Sequence, residues 1–348
     1  MQPLYDASFG PREREAWRLH GSLGCDVRHS PGRQRSQNPE LGRSMVQVER
    51  CPMPATQMKQ RVTSRNILFA TDFSAAASSA MPYAAGFAKS FGAKLYALHV
   101  KEPANYALPP EMWESAQLAL DVEIQSLRNA VRREFPEIAP EVLEGECGLW
   151  TALSLAIEAY QIDLLVVGTR GRTGVEKALL GSQAEEILRR APCPVLTVGP
   201  QAQFQDAIHG KFSSILFATN FGPASLAAAR IAVSLSEEYQ SRLSLLHVIE
   251  NRAVNELAGP AEFGESSERH LRALVPDEAK FWCTPHFIVE QGLPADKILE
   301  TEHRTNANLI VLGVHGEEGV PVAATHLPIA TVHKIVAHAN CPVLTVRG

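Results

Sequence analysis

The 348-residue chain is poor in aromatic residues (7%) and holds no apolar run near the roughly 20 residues that a bilayer-spanning helix needs. Its first residues lack the charged start and apolar core of a secretory signal. These absences make a cytoplasmic protein the expectation, with its six cysteines as reduced thiols. No H-E-x-x-H or C-x-x-C spacing occurs, so no metal site is expected. The catalytic signatures are missing too: there is no G-x-S-x-G elbow, no Cys-His pair and no evident pair of acid–base carboxylates.

What is present is a hydrophobic share of 45%, which excludes global disorder, and a net charge of −5 that is unevenly spread. Residues 1–65 hold eleven Lys/Arg against six Asp/Glu, a balance of +5, which leaves the rest of the chain at −10. A body that acidic is a poor partner for nucleic acid or an anionic membrane. Residues 1–62 are rich in Arg, Gly, Pro, Ser and Gln and show no sustained periodicity, so they read as a disordered basic tail. The tail is either a solvated extension, an interaction arm, or an upstream start with initiation at Met45, Met53 or Met58.

From residue 63 the chain repeats itself. Asn66-Ile67-Leu68-Phe69-Ala70-Thr71-Asp72-Phe73 returns as Ser214-Ile215-Leu216-Phe217-Ala218-Thr219-Asn220-Phe221. Leu98-His99-Val100 returns as Leu246-His247-Val248, and Cys193-Pro194-Val195-Leu196-Thr197-Val198 as Cys341-Pro342-Val343-Leu344-Thr345-Val346, all at an offset of 148. Leu164-Leu165-Val166-Val167-Gly168 returns at an offset of 145. Four ordered matches make a tandem duplication, with domains at 63–199 and 213–348 and a polar linker at 200–212. In the first repeat the pattern predicts strands near 66–71, 94–100, 141–145, 164–168 and 194–198. Helices are predicted at about 74–91, 110–135, 149–160 and 183–191. Runs such as LLVVG fit strands covered on both faces. Each repeat is thus expected to be a doubly wound, Rossmann-like α/β domain with a five-stranded parallel sheet. The second repeat follows the same plan, with a weaker second helix around 265–280.

In such sheets ligands sit beyond the strand carboxyl ends, where strand order reverses. The segment after the fourth strand begins with Gly168, Thr169, Arg170, Gly171, Arg172, Thr173 and Gly174, and closes with Gly181, Ser182, Gln183 and Ala184. Glycines let backbone N–H groups turn toward an anion, and a helix start after Gly181 favours negative charge. Arg170, Arg172 and Lys177 add positive charge, which suits a polyphosphate. Neither G-x-x-x-x-G-K-[ST] nor G-x-G-x-x-G is present. Ser182 with Glu185 also fits an S-x-x-E capping box, and Asp72 or Ser74 fits a cap for the first helix, roles that require no ligand.

The spacing of Gly168, Gly171, Gly181 and Ser182 is G-x2-G-x9-G-[S/T], and in this setting the sequence resembles the ATP-binding branch of the universal stress proteins over residues 63–348. The resemblance implies an adenine nucleotide alpha hydrolase-like fold. It further implies that Gly168 to Gly174 and Ser182 to Ala184 wrap the phosphates and ribose of ATP. Asp72 would be the acidic residue after the first strand, and Ala70 and Val100 the adenine contacts. Mg²⁺ would be held chiefly by the phosphates. It implies, too, that the last strands pair across a two-fold axis, here Val195–Val198 with Val343–Val346, as a pseudo-dimer within one chain that can assemble further.

The matching loop of the second repeat keeps Gly313 and Gly316 but replaces the Gly-Ser pair with His326-Leu327, adds Glu317 and Glu318, and carries Asn220 in place of Asp72. Added negative charge opposes a phosphate, so one nucleotide per chain is expected. Eight of the twelve histidines lie in this half, at spacings that fit surface or core positions better than a metal. Cys193 and Cys341 read as small buried residues. The expected function is a cytoplasmic stress-response module whose bound nucleotide alters association with an unidentified protein partner. The alternatives are slow ATP hydrolysis or autophosphorylation at Ser182 or Thr173, and an interaction scaffold that binds no nucleotide.

Overall fold

The computed structural model describes residues 64–100, 110–145, 147–169, 181–202, 212–250, 260–314 and 329–348. The first repeat contributes strands β1 (Asn66–Thr71), β2 (Lys94–Val100), β3 (Glu141–Gly145), β4 (Leu164–Gly168) and β5 (Val195–Val198). Its helices are α1 (Ala75–Phe91), α2 (Pro110–Glu134), α3 (Leu149–Ala159) and α4 (Ser182–Arg190). The second repeat contributes β6 (Ser214–Thr219), β7 (Arg242–Ile249), β8 (His286–Gln291), β9 (Leu309–Val314) and β10 (Val343–Arg347). Between them run α5 (Pro223–Tyr239), α6 (Pro260–Ala273), α7 (Pro294–Thr305) and α8 (Ile329–His338).

All ten strands form one sheet in the order β3-β2-β1-β4-β5-β10-β9-β6-β7-β8. Every pairing is parallel except β5 with β10, which is antiparallel with Leu196 opposite Leu344. The two five-stranded units are therefore halves of a continuous sheet rather than separate sheets. Thr345 Oγ1 donates to the Val195 carbonyl at 3.2 Å, a tie across that junction.

Period-two alternation decides which layer each strand residue feeds. Phe69 and Phe217 enter the core beneath α1, α2, α5 and α6, whereas their neighbours Leu68 and Leu216 enter the core beneath α3, α4, α7 and α8. Each core cluster contains residues of both repeats, so burial joins them as the backbone does. Phe212, at the end of the expected linker, is buried between Phe87 and Tyr239 at centroid distances of 5.1 and 5.2 Å.

One element departs from its sequence expectation. The helix read at 265–280 is two pieces: α6, which ends at Ala273, and a 3₁₀ turn at Asp277–Phe281. Pro276 stands at the break, where it offers no N–H and disfavours helical backbone in the residue before it. Among the described residues no helix is long and apolar enough to cross a membrane.

Candidate functional site

Strand order reverses between β1 and β4, so the residues that follow these two strands flank a crevice. The turn after β1 is tightly specified. Thr71 Oγ1 accepts from the Phe73 N–H at 3.0 Å, and Asp72 Oδ1 accepts from the Ser74 N–H at 2.9 Å. These bonds hold Phe73 in the left-handed region at φ 59°, a conformation uncommon for a bulky residue. Ser74 then caps α1, its Oγ accepting from the Ala77 N–H at 3.2 Å. Of the two capping candidates, Ser74 is thus the N-cap and Asp72 builds the turn that precedes it. His99, buried on β2, lies with Nδ1 3.0 Å from the Thr71 carbonyl, so that nitrogen carries the proton of the bond. Its ring packs on Phe73 at 4.8 Å.

The second repeat builds the same turn. Phe221 has φ 61°, Thr219 Oγ1 accepts from its N–H at 2.9 Å, and Asn220 Oδ1 accepts from the Gly222 N–H at 3.0 Å. His247 Nδ1 lies 2.9 Å from the Thr219 carbonyl and its ring packs on Phe221 at 4.4 Å. Burial, helped by nearby His270, pushes His247 below the usual histidine range, against the pull of the Thr219 carbonyl. The Thr-Asx-Phe turn with its histidine is a property of both repeats. It was visible in the sequence only as repeated letters, and no motif had singled out Phe73 or His99.

Ala70 lies on β1 opposite Val167 of β4, and Val100 ends β2 opposite Gly145 of β3. Both are only partly buried and pack against the core cluster on the α3–α4 side of the sheet. Gly145 permits this arrangement, because a Cβ there would stand 2.9 Å from Ala152 Cβ and 3.2 Å from Val100 Cγ2.

At the end of β4, Gly168 is half-buried and pairs with Val198. Thr169 follows at 3% exposure, its N–H donating to the Val198 carbonyl at 3.1 Å and its carbonyl accepting from the Gly181 N–H, also at 3.1 Å. These bonds close the base of the loop. A Cβ at Gly181 would lie 3.2 Å from the Thr169 carbonyl oxygen, so glycine suits this contact. The Thr169 Oγ1 is buried and has no hydrogen-bond partner among the described residues. Arg170, Gly171, Arg172, Thr173 and Gly174 lie outside the described residues.

The start of α4 corrects the capping-box alternative. Gly181 is the N-cap and Ser182 is already the first helical residue, with no side chain among the described residues capping the end. The Gly181–Thr169 contact sets the start one residue earlier than the S-x-x-E pattern suggests. The Glu185 N–H bonds the Gly181 carbonyl at 2.9 Å, while its carboxylate pairs with Arg189 at 2.8 Å rather than turning back to the cap. Ser182 and Gln183 are exposed and Ala184 is buried against the sheet. The structure thus groups Gly168, Thr169, Gly181 and Ser182 at one mouth, with Ala70 on β1 and Asp72 in the turn just after it across the strand-order reversal.

In the second repeat Asn220 Oδ1 also accepts from Ser225 Oγ at 2.7 Å, where the first repeat has Ala77. A Cβ on Gly313 would fall 2.4 Å from backbone atoms of Ala224 and Ser225, so the start of α5 rests directly on β9. Residues 315–328, which include the replaced Gly-Ser pair, lie outside the described residues. Among the described residues, no three His, Cys, Asp or Glu groups converge as metal ligands.

This doubled architecture agrees with comparisons to known proteins. The model of the universal stress protein family matches residues 63–199 and again residues 211–347. The chain belongs to the universal stress protein family, as a tandem pair. A universal stress protein of Mycolicibacterium smegmatis is 27% identical over 306 residues, which is 83% of this chain and 99% of that one. One from Methanocaldococcus jannaschii is 36% identical over 140 residues, covering 38% of this chain and 81% of the relative. The crystal structure of a universal stress protein from Archaeoglobus fulgidus superposes with a TM-score of 0.58 at 21% identity, covering 82% of this chain and 99% of that one. At that identity the likeness concerns the fold, and it extends across both universal stress protein repeats.

Proposed function

We propose that the first repeat binds ATP, with Mg²⁺ held by its phosphates, and that the protein is a cytoplasmic module whose nucleotide state alters association with a protein partner. The observation that carries this reading is the pairing of two unsatisfied donors at one mouth. Among the described residues no side chain caps the first-turn N–H groups of α4, and the hydroxyl of Thr169, whose carbonyl accepts from the Gly181 N–H, is buried without a partner. A phosphate at this mouth would offer acceptors to both, and the helix start favours its charge. A buried hydroxyl without a partner costs about 1–3 kcal/mol, which a ligand oxygen would recover. Ala70 and Val100 add an apolar, partly exposed surface suited to adenine, and the half-buried carboxylate of Asp72 stands at the end of β1 for the ribose side.

In the second repeat, the Asn220–Ser225 bond occupies the corresponding corner with protein groups. One nucleotide per chain is the expected stoichiometry. Calorimetric titration of the full chain with Mg·ATP tests this, beside a variant carrying Gly181→Val and Ser182→Leu. Saturation near one site, lost in the variant, is expected. Absence of binding would retire the reading in favour of a scaffold, and two sites would show that the second crevice is competent.

A further inference from the structure

The two repeats exchange different contacts at the ends of their last strands. Arg347, on β10 of the second repeat, donates from Nη2 to the Arg189 carbonyl at 2.5 Å and from Nη1 to the Ala191 carbonyl at 3.4 Å. Those carbonyls belong to the C-terminal end of α4 in the first repeat, where a cation is favoured by the helix dipole and by unsatisfied C=O groups. The residue equivalent to Arg347 in the first repeat is Gly199, which follows the matched Cys-Pro-Val-Leu-Thr-Val run. A Cβ there would lie 2.6 Å from the Val336 carbonyl of α8, so the reciprocal position has no room for a side chain. At the end of α8 the last turn is bonded by its own His338, whose Nδ1 lies 2.8 Å from the Lys334 carbonyl. The arginine contact thus runs one way, from the repeat with the degenerate loop to the repeat with the intact one.

We infer that Arg347 is a positioning residue through which the second repeat sets the crevice of the first. This inference rests on the nucleotide reading given above. Helix α4 has nine residues, about 13 Å of rise, and behaves as a short rod. Its buried residues Ala184, Ile187 and Leu188 hold it on the sheet, and none of them is a polar tie to the second repeat. A guanidinium fork on two end carbonyls adds an axial restraint at the C-terminal end, opposite the Gly181–Thr169 bond at the start.

Fixing the C-terminal end of the rod fixes Gly181 and Ser182 at the other. The loop is then anchored twice. Thr169 is tied to Val198 of β5, and Gly181 leads into a helix tied to β10, so each anchor lies on one strand of the antiparallel pair.

The test compares the full chain with Arg347→Ala and Arg347→Lys, reading hydrogen exchange along α4 without nucleotide and the Mg·ATP affinity by calorimetry. In Arg347→Ala the amides of α4 should exchange faster up to Glu185, whose N–H bonds the Gly181 carbonyl, while β5 and β10 keep their protection. Affinity should fall about fivefold, at the low end of ordinary coupling between sites. Arg347→Lys keeps a cation at the helix end and should recover part of both effects. An unchanged Glu185 amide in Arg347→Ala overturns the inference, as does unchanged affinity in a parent that binds ATP. If the parent does not bind but Glu185 is loosened, the positioning of α4 stands and the ATP reading falls.

Discussion

Leu196 stands directly opposite Leu344 where β5 meets β10, and the two leucines hold the same place in their respective repeats. The junction is therefore centred on a residue that meets its own counterpart. Both are essentially excluded from solvent, at 0% and 2% exposure.

Truncating one of this pair should weaken the whole molecule rather than one half. Leu344→Ala removes buried methyl groups and leaves a cavity, at a cost of roughly 2–5 kcal/mol. Urea unfolding followed by circular dichroism should show that loss in a single shared transition, because both core clusters contain residues of both repeats. A loss below about 1 kcal/mol would mean that the site collapses without consequence.

A second prediction concerns acidity. The left-handed residues Gln161 and Asn306 end matching helices, and the bonds Ile162 N–H to Ile157 carbonyl and Ala307 N–H to Glu302 carbonyl are equivalent, both 3.0 Å. Glu302 therefore occupies the place that apolar Ile157 fills in the first repeat. It is 4% exposed, and burial pushes its carboxyl above the usual range, against a 3.4 Å hydrogen bond from Asn340. A carboxyl raised in the folded state contributes stability that is fully present below its unfolded pKa and is lost as pH rises through the folded one. Relative to Glu302→Gln, the parent should lose stability as pH rises from the ordinary glutamate pKa through the raised folded one. Parallel unfolding curves for parent and variant across that range would refute the assignment.

The thiols should react unequally. Burial pushes Cys193 up to about 11, and Cys341 rises well above the usual thiol range through burial first and the adjacent Glu302 second. Burial also raises Cys283, opposed by the Ser236 hydroxyl, while Cys147 is half-buried beside the start of α3. At pH 8 iodoacetamide should label Cys147 first among these four, and Cys193 and Cys341 only on unfolding, since the thiolate is the reacting species. Mass spectrometry of timed samples reads the order, and early labelling of Cys341 would contradict it.

Most of the strand plan was legible because parallel strands covered on both faces are written as unbroken apolar runs, as in β4 and β9. The turn after β1 was legible only in part. Asp72 is legible as a cap candidate and through the family resemblance, but the buried His99 that secures Thr71 carries no motif of its own. Ser182 looked like a cap because the S-x-x-E pattern is local, whereas the start of α4 is set by a contact with Thr169, twelve residues away. Arg347 could not be read at all, since its partners are more than 150 positions distant in the chain. Pro276 is the local signal in the sequence that divides the helix predicted at 265–280.

The antiparallel junction has a consequence for inheritance. Two identical subunits that met through such strands would carry every substitution twice, once on each side of the axis. Here the partners are successive stretches of one polypeptide, so a change is written once and the other side need not follow. Arg347 against Gly199, Glu302 against Ile157 and Asn220 against Asp72 are such unmirrored changes. Because the partner is covalently attached, dilution cannot separate the halves. Each was free to specialise without losing the other.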